Sequence, residues 1–161
     1  MTSQLSYRAQ KITFKYFTKT FFRMLLPSEI ETKTLIPALR AILAKKLIEE
    51  HKIREEEVSK LLGVTQAAIS NYVRGTRGDP VLISKLLLVK EVSDMINDIC
   101  SNLASNMAYT PSSLSKFIGL CNYIKSSLLI CDIHHRLESN IDEAICKECE
   151  NMLLKGPGSA F

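Results

Sequence analysis

All five cysteines of the 161-residue chain follow residue 99, and four of them have the spacing of metal ligands. Cys146 and Cys149 form a C-x2-C pair, in which one turn of chain directs two thiolates to a single metal ion. Cys131 and His134 form a C-x2-H pair twelve residues earlier, and Cys121 lies ten residues before Cys131. Thiolate and imidazole groups at these spacings predict a metal site in the last third of the chain.

Two ligand sets are compatible with these spacings. Structural zinc would be held by Cys131, His134, Cys146 and Cys149. A 4Fe–4S iron–sulfur cluster would be held by Cys121, Cys131, Cys146 and Cys149, with His134 as a neighbour of the sulfurs. A redox-active dithiol and a set of unrelated buried thiols are two further interpretations. The spacing alone does not distinguish these two from zinc or from an iron–sulfur cluster.

A second group of chemically useful residues lies between 65 and 77. The outer face of a predicted helix carries Gln66, Ala67, Ser70, Asn71 and Arg74. Amide, hydroxyl, methyl and guanidinium groups read base edges in a DNA major groove, whereas a merely solvated face usually carries Lys and Glu. Thr65, which precedes this face, is also predicted to contact DNA, and Arg77 and Lys85 follow the face. These two cations and Arg74 are predicted to hold phosphates.

Residues 54–74 are predicted to position that face as a helix-turn-helix. Gly63 tolerates the positive φ that a sharp turn requires, and Thr65 is a natural N-cap for the second helix. Apolar residues at matching spacings would bury one side of each helix against the other; these are Val58, Leu61, Leu62, Val64, Ile69 and Tyr72. An ordinary helical hairpin is the competing interpretation.

Further helices are predicted on both sides of this motif. The first covers 34–50, with Thr34 as its cap and Pro37 in its first turn. A long helix covers 80–106, with an apolar stripe at steps of three and four residues. A helix of that length outruns a small core, so we expect it to form a dimer interface; folding back of residues 112–125 over the stripe is the alternative.

The predicted fold is therefore all-α, in five parts. A basic and aromatic N-terminal extension covers 1–23 and the helix-turn-helix DNA-binding domain covers 24–79. The long dimerisation helix lies within 80–110, the Cys-rich metal-binding region is 111–155, and a disordered tail is 156–161.

The motif also resembles a known class. LLGVTQAAISNYVRGTRG is similar to the second and third helices, and the following loop, of lambda-repressor-like, XRE-type helix-turn-helix domains. LPSEIETKTLIPALRAILAKKLIEEHKI before it resembles archaeal XRE-type predicted transcriptional regulators, in which a cysteine often stands where this chain has Ser28. The resemblance, from about residue 24 to 149, implies a regulator with a C-terminal cysteine cluster. It favours the iron–sulfur cluster over zinc, because those regulators tend to carry cysteine at all four positions.

Composition and charge narrow the functional classes. The net charge is +4, but residues 1–23 hold five cations and no acid, so the rest of the chain is close to neutral. No nucleophile elbow, phosphate-binding glycine loop or carboxylate pair indicates an enzyme. The sequence lacks a secretory signal and a bilayer-spanning run, so we expect a cytoplasmic protein without a membrane partner.

Two functions from different classes fit these features. The first is a dimeric, sequence-specific transcriptional regulator that binds a near-palindromic double-stranded DNA operator, with a metal centre that is sensory or structural and no small-molecule substrate. The second is a non-enzymatic protein-interaction adaptor, in which the helix-turn-helix is a scaffold and zinc stabilises a small domain.

Overall fold

The computed structural model describes residues 25–155, and the predictions for 1–23 and 156–161 lie outside that range. The described chain is helical and has no β-strand, which confirms the all-α prediction. Its elements are α1 (Pro27–Ile30), a π-helical turn (Glu31–Leu35), α2 (Ile36–Glu49), α3 (Glu55–Leu62), α4 (Gln66–Val73), α5 (Pro80–Leu88), α6 (Lys90–Asn106), α7 (Pro111–Ser126), α8 (Cys131–Leu137) and α9 (Glu143–Lys155). Between residues 25 and 155, every helix is too short or too polar to cross a lipid bilayer.

The first helical segment begins earlier than predicted. Pro27 occupies the first turn of α1, and the Glu29 carboxylate accepts the backbone N–H of Leu26 at 3.0 Å. Thr34 is not a cap, because its hydroxyl donates to the Ile30 carbonyl at 2.5 Å within the continuing helix. The π-helical turn ends two residues before Pro37, whose ring would clash with the carbonyl four residues back in a regular α-helix. The wider turn accommodates that proline, so the helix continues through it.

α2 is the centre of the molecule. It contacts α3, α4, α5 and α6, and apolar or small side chains lie on all of its inner sides. Those buried along it are Ala38, Leu39, Ala41, Ile42, Leu43, Ala44 and Leu47. A helix that is apolar on most of its faces is stable only when other elements cover those faces. Here α3, α4, α5 and α6 cover α2.

The segment predicted as one long helix is divided at Val89. This residue is extended (φ −86°, ψ 114°), and its N–H bonds to the Leu86 carbonyl at 3.2 Å. The apolar residues before the break, Leu82 and Leu86, are buried in α5, which contacts α2. Those after it belong to α6, which contacts α7 as well as α2. One straight helix could not direct both sets of side chains to their neighbours, so the chain turns between them.

The apolar stripe of α6 is buried inside the chain. Val92, Ile96, Ile99 and Leu103 are at most 2% exposed, because α7 folds back along α6. Asn102 on α6 fixes the hairpin by accepting the hydroxyl of Ser113 on α7 at 2.7 Å. Residues 112–125 thus fold back over the stripe, which was the alternative to a dimer interface. The surface predicted to meet a second chain is covered by the same chain.

Candidate nucleic-acid interface and cysteine region

The turn between α3 and α4 has the predicted local geometry. Gly63 adopts φ 62° and ψ 39°, the left-handed conformation that ends a helix. The N–H of Val64 then reaches back to the Ser59 carbonyl at 3.0 Å, and Ser59 itself is buried. Thr65 caps α4 by accepting the Ala68 N–H on its hydroxyl at 3.2 Å. These local bonds fix the angle at which α4 leaves the turn.

One side of α4 is buried and the opposite side is open. Ala68, Ile69 and Tyr72 are buried against the core. The residues of the predicted DNA-contacting face lie outside it, with Gln66, Ala67, Asn71 and Arg74 exposed and Ser70 partly exposed. The structure therefore places these five on the accessible part of one two-turn helix. Thr65 lies at its N-terminus, where its hydroxyl serves the cap.

The polar groups on this face already contact one another. The Arg74 guanidinium donates to the Ser70 hydroxyl at 2.7 Å and to the Ser70 carbonyl at 3.3 Å. Thr76, which the sequence analysis did not select, donates its hydroxyl to the Asn71 carbonyl at 3.1 Å. Its contact with the Asn71 side-chain oxygen is 3.4 Å, which is long for a hydrogen bond. The Asn71 amide is therefore only weakly engaged and remains open to a ligand.

The loop after α4 holds Arg77 in a defined place. Its guanidinium carbon lies 5.2 Å from the ring centroid of Tyr72, within the range of a cation–π contact. Gly78 follows with φ 96°, and a Cβ there would lie 3.2 Å from both Ala41 Cβ and Ile83 Cδ1. Glycine is favoured at that position because the positive φ is strained for other residues, and an added Cβ would be in tight contact with these two side chains.

Two ion pairs connect the loop after α4 and the helix α5 to α8. One Arg136 nitrogen donates to both carboxylate oxygens of Asp79 at 3.1 Å, and Asp79 also caps α5 by accepting the Leu82 N–H at 2.7 Å. Burial alone would raise the pKa of Asp79, but the bonds from Leu82 and Arg136 together hold it below its ordinary value. Lys85, predicted to hold a phosphate, pairs with Asp132 on α8 within the chain.

The four cysteines with ligand spacing separate into two places. Cys131, Cys146 and Cys149 lie near one another on α8 and α9, and the Sγ of Cys146 is 3.5 Å from His135 Nε2. Cys121 is not with them, because α7 buries it in the core, where the charges acting on it are those of Glu31 and Lys125.

The two adjacent histidines of α8 have different neighbours. His134, the alternative ligand, is 3.2 Å from the Glu138 carboxylate. His135, which no sequence pattern indicated, is the histidine beside Cys146. The Cys146 Sγ also lies 3.9 Å from the Glu150 carboxylate. Within residues 25–155, no three Cys, His, Asp or Glu side chains converge closely enough to hold a metal ion as they stand.

The thiols are not activated nucleophiles. Burial raises the pKa of Cys131 to about 11, and it is raised further by the neighbouring Cys149 thiol when that ionises, by the Glu150 carboxylate and by the Cys146 thiol when that ionises. The same cause, burial followed by neighbouring negative charge, raises the pKa of Cys146 and of Cys149. Each is a protonated thiol at neutral pH, and a catalytic cysteine needs the opposite shift. The Cys146–His135 pair therefore lacks the electrostatics of a catalytic dyad.

Comparison with known proteins addresses the segment around α4. Residues 45–86 match a family model described as Helix-turn-helix. This segment is a helix-turn-helix. The match supports a DNA-binding transcription regulator of the XRE type, a class that is typically non-enzymatic. The matched residues extend past the predicted domain boundary at 79 and include most of α5. The match ends before the first cysteine, so it bears on neither the archaeal group nor the metal site. No curated protein matches the chain, and no solved structure matches it.

Proposed function

We propose that this protein is a sequence-specific transcriptional regulator that inserts α4 into the major groove of DNA and acts in the cytoplasm. The observation that carries this proposal is the open face of α4, which presents amide, hydroxyl, methyl and guanidinium groups from a helix capped and oriented by local bonds. The adaptor function has less support, because a scaffold would not require that combination of side chains beside Arg77.

The direct experiment compares two duplexes at one salt concentration. One is the DNA upstream of the protein's own gene, and the other has the same length and base composition in shuffled order. A specific regulator is expected to bind the first at least about 10³-fold more tightly. Equal affinity for both duplexes would contradict regulation through that operator, and no measurable binding to either would favour the adaptor.

Arg77→Ala is expected to weaken binding to specific and shuffled DNA by the same factor. A phosphate contact positions the protein without reading sequence, and its loss should reduce the slope of log affinity against log salt by about one. Affinities measured over a series of salt concentrations check this. Lys147→Ala, an exposed cation on α9, is the matched control and should leave the slope unchanged. A loss confined to the specific duplex would assign Arg77 to base reading instead.

The regulator is proposed to act as a homodimer on a near-palindromic operator with half-sites about one helical turn apart. One two-turn helix reads few base pairs, and two-fold pairing doubles the sequence that is read. The apolar stripe of α6 is buried within the chain and does not supply the dimer interface. The dimer is therefore proposed from the number of base pairs that an operator must present. Light scattering at micromolar concentration is expected to give twice the mass of one chain, and the mass of a single chain would contradict the dimer.

The cysteine region is proposed to hold a metal centre, with Cys131, Cys146 and Cys149 as ligands and His135 completing the set in place of Cys121. The proximity of these groups and the 3.5 Å contact between Cys146 and His135 support this set. No residue of α9 is fully buried, so a shift of this helix that closes the site disturbs little packing. Three thiolates and one imidazole fit zinc; the predicted iron–sulfur cluster requires a cysteine at the fourth place or acceptance of histidine there.

Metal analysis of anaerobically purified variants tests this ligand set. Cys149→Ser is expected to lose the metal, whereas Cys121→Ala is expected to keep it, because Cys121 lies in the core beside Glu31. Both variants are compared with the unaltered chain for zinc, iron and acid-labile sulfide per chain. Loss of metal from a folded Cys121→Ala variant would restore the four-cysteine cluster that the resemblance implies.

A further inference from the structure

An apolar groove of about 340 Å³ lies where α9 faces the end of α8 and the start of the described chain. Its walls include Leu26, Ile145 and Met152, which are 50%, 44% and 57% exposed. Apolar side chains gathered at this exposure usually mark a binding surface. The volume is at the lower end for a ligand site and suits one or two aromatic rings.

We propose that residues 19–23 of this same chain occupy the groove, with Phe21 and Phe22 as the side chains that fill it. The chain enters the groove wall at Leu25, whose N–H donates to the Glu138 carboxylate at 3.0 Å. Phe22 precedes Leu25 by three residues, and three residues span at most about 10 Å. The aromatic pair is thus tethered beside the apolar surface at a high effective concentration.

Charge favours the same occupant. The groove is bordered by the carboxylates Glu138, Asp142 and Glu148. The segment that precedes Leu25 contains Lys19 and Arg23 on either side of the aromatic pair, and residues 1–23 contain no acid. Docking therefore pairs an aromatic, basic peptide with an apolar, acidic groove. It also covers Cys149, which lies in the groove wall.

Photocrosslinking of the full-length chain tests the occupant. Phe22 is replaced by the photoreactive residue p-benzoyl-phenylalanine, the protein is irradiated, and crosslinked peptides are mapped by mass spectrometry. The expected product is a crosslink within one chain to the peptide 141–153, which Ile145→Arg should abolish. The same probe at Tyr7 is the matched control and should not label that peptide. Crosslinks between two chains, no crosslink, or equal labelling from Tyr7 would each overturn the proposal.

Binding of an apolar fluorescent dye gives an independent measurement. Phe21→Ser/Phe22→Ser is expected to raise dye binding several-fold because it uncovers the groove, and Ile145→Arg in the same chain should reverse the increase. Phe14→Ser/Phe17→Ser has the same composition change and should behave like the unaltered protein. If dye binding is unchanged both in Phe21→Ser/Phe22→Ser and in its combination with Ile145→Arg, this segment does not cover the groove.

Discussion

Asn71→Ala is expected to weaken binding to the operator by about 5- to 150-fold and to relax specificity at one base position. An asparagine amide can accept and donate to an adenine edge at once, and alanine can do neither. The Asn71 side chain is exposed, and its one hydrogen-bond contact within residues 25–155 is a long one, with the Thr76 hydroxyl at 3.4 Å. The amide is therefore available to DNA, and its removal should leave the free energy of unfolding within about 0.5 kcal/mol of the original.

Affinities for the operator, and for operators altered one base pair at a time, measure this effect. Asn122→Ala, an exposed asparagine on α7, is the matched control and should bind like the unaltered protein. An equal loss on operator and shuffled DNA would remove Asn71 from base reading. The paired Ser70 and Arg74 would then be the first residues to examine, since both are polar groups of the same helix face, joined to each other by a 2.7 Å bond.

The second large effect is a change in operator affinity with the state of the tail. Metal-loaded protein is expected to bind the operator about 5- to 150-fold more tightly than metal-free protein, the usual range of coupling between two sites. The proposed metal centre would hold α8 in place through its ligands, and Arg136 would then keep its contact with Asp79. Asp79 caps α5 directly after the loop that carries Arg77. The structure thus offers a direct route from α8 to the loop that carries Arg77.

Arg136→Ala is expected to make the operator affinities of metal-loaded and metal-free protein equal. The Arg136 and Asp79 side chains are 45% and 27% exposed, so the pair contributes at most about 1 kcal/mol to stability after solvent screening. Its loss should therefore leave the fold and the metal content intact while the coupling disappears. Asp79→Asn keeps the helix cap but removes the charge, and should have the same effect. If the metal-dependent difference persists in both variants, the coupling does not pass through this pair.

The parts of the fold that depend on local chemistry were predictable from the sequence. The positive φ of Gly63 and the cap formed by Thr65 involve only neighbouring residues, and both are confirmed. The open face of α4 also followed from periodicity. The break at Val89 did not, because the apolar spacing continues through it and only the positions of α2 and α7 require the turn.

The cysteine region could be predicted less completely. Spacing identified Cys131, Cys146 and Cys149 as neighbours, but it could not place Cys121, whose burial depends on how α7 packs. Spacing also favoured His134, since it completes a C-x2-H pair, whereas the orientation of the short helix α8 brings His135 to Cys146. The Arg136–Asp79 contact joins residues 57 positions apart and leaves no local signal in the sequence.

Selection from a pool of random duplexes tests the central claim, that the exposed face of α4 reads DNA sequence. The unaltered full-length protein is incubated with the pool at fixed salt, and bound DNA is amplified and sequenced over several rounds. A defined motif is expected to be enriched, and the same selection with Gln66→Ala or Asn71→Ala should enrich a motif altered at specific positions. Enrichment of no motif, or of the same motif by all three proteins, would contradict sequence reading by α4.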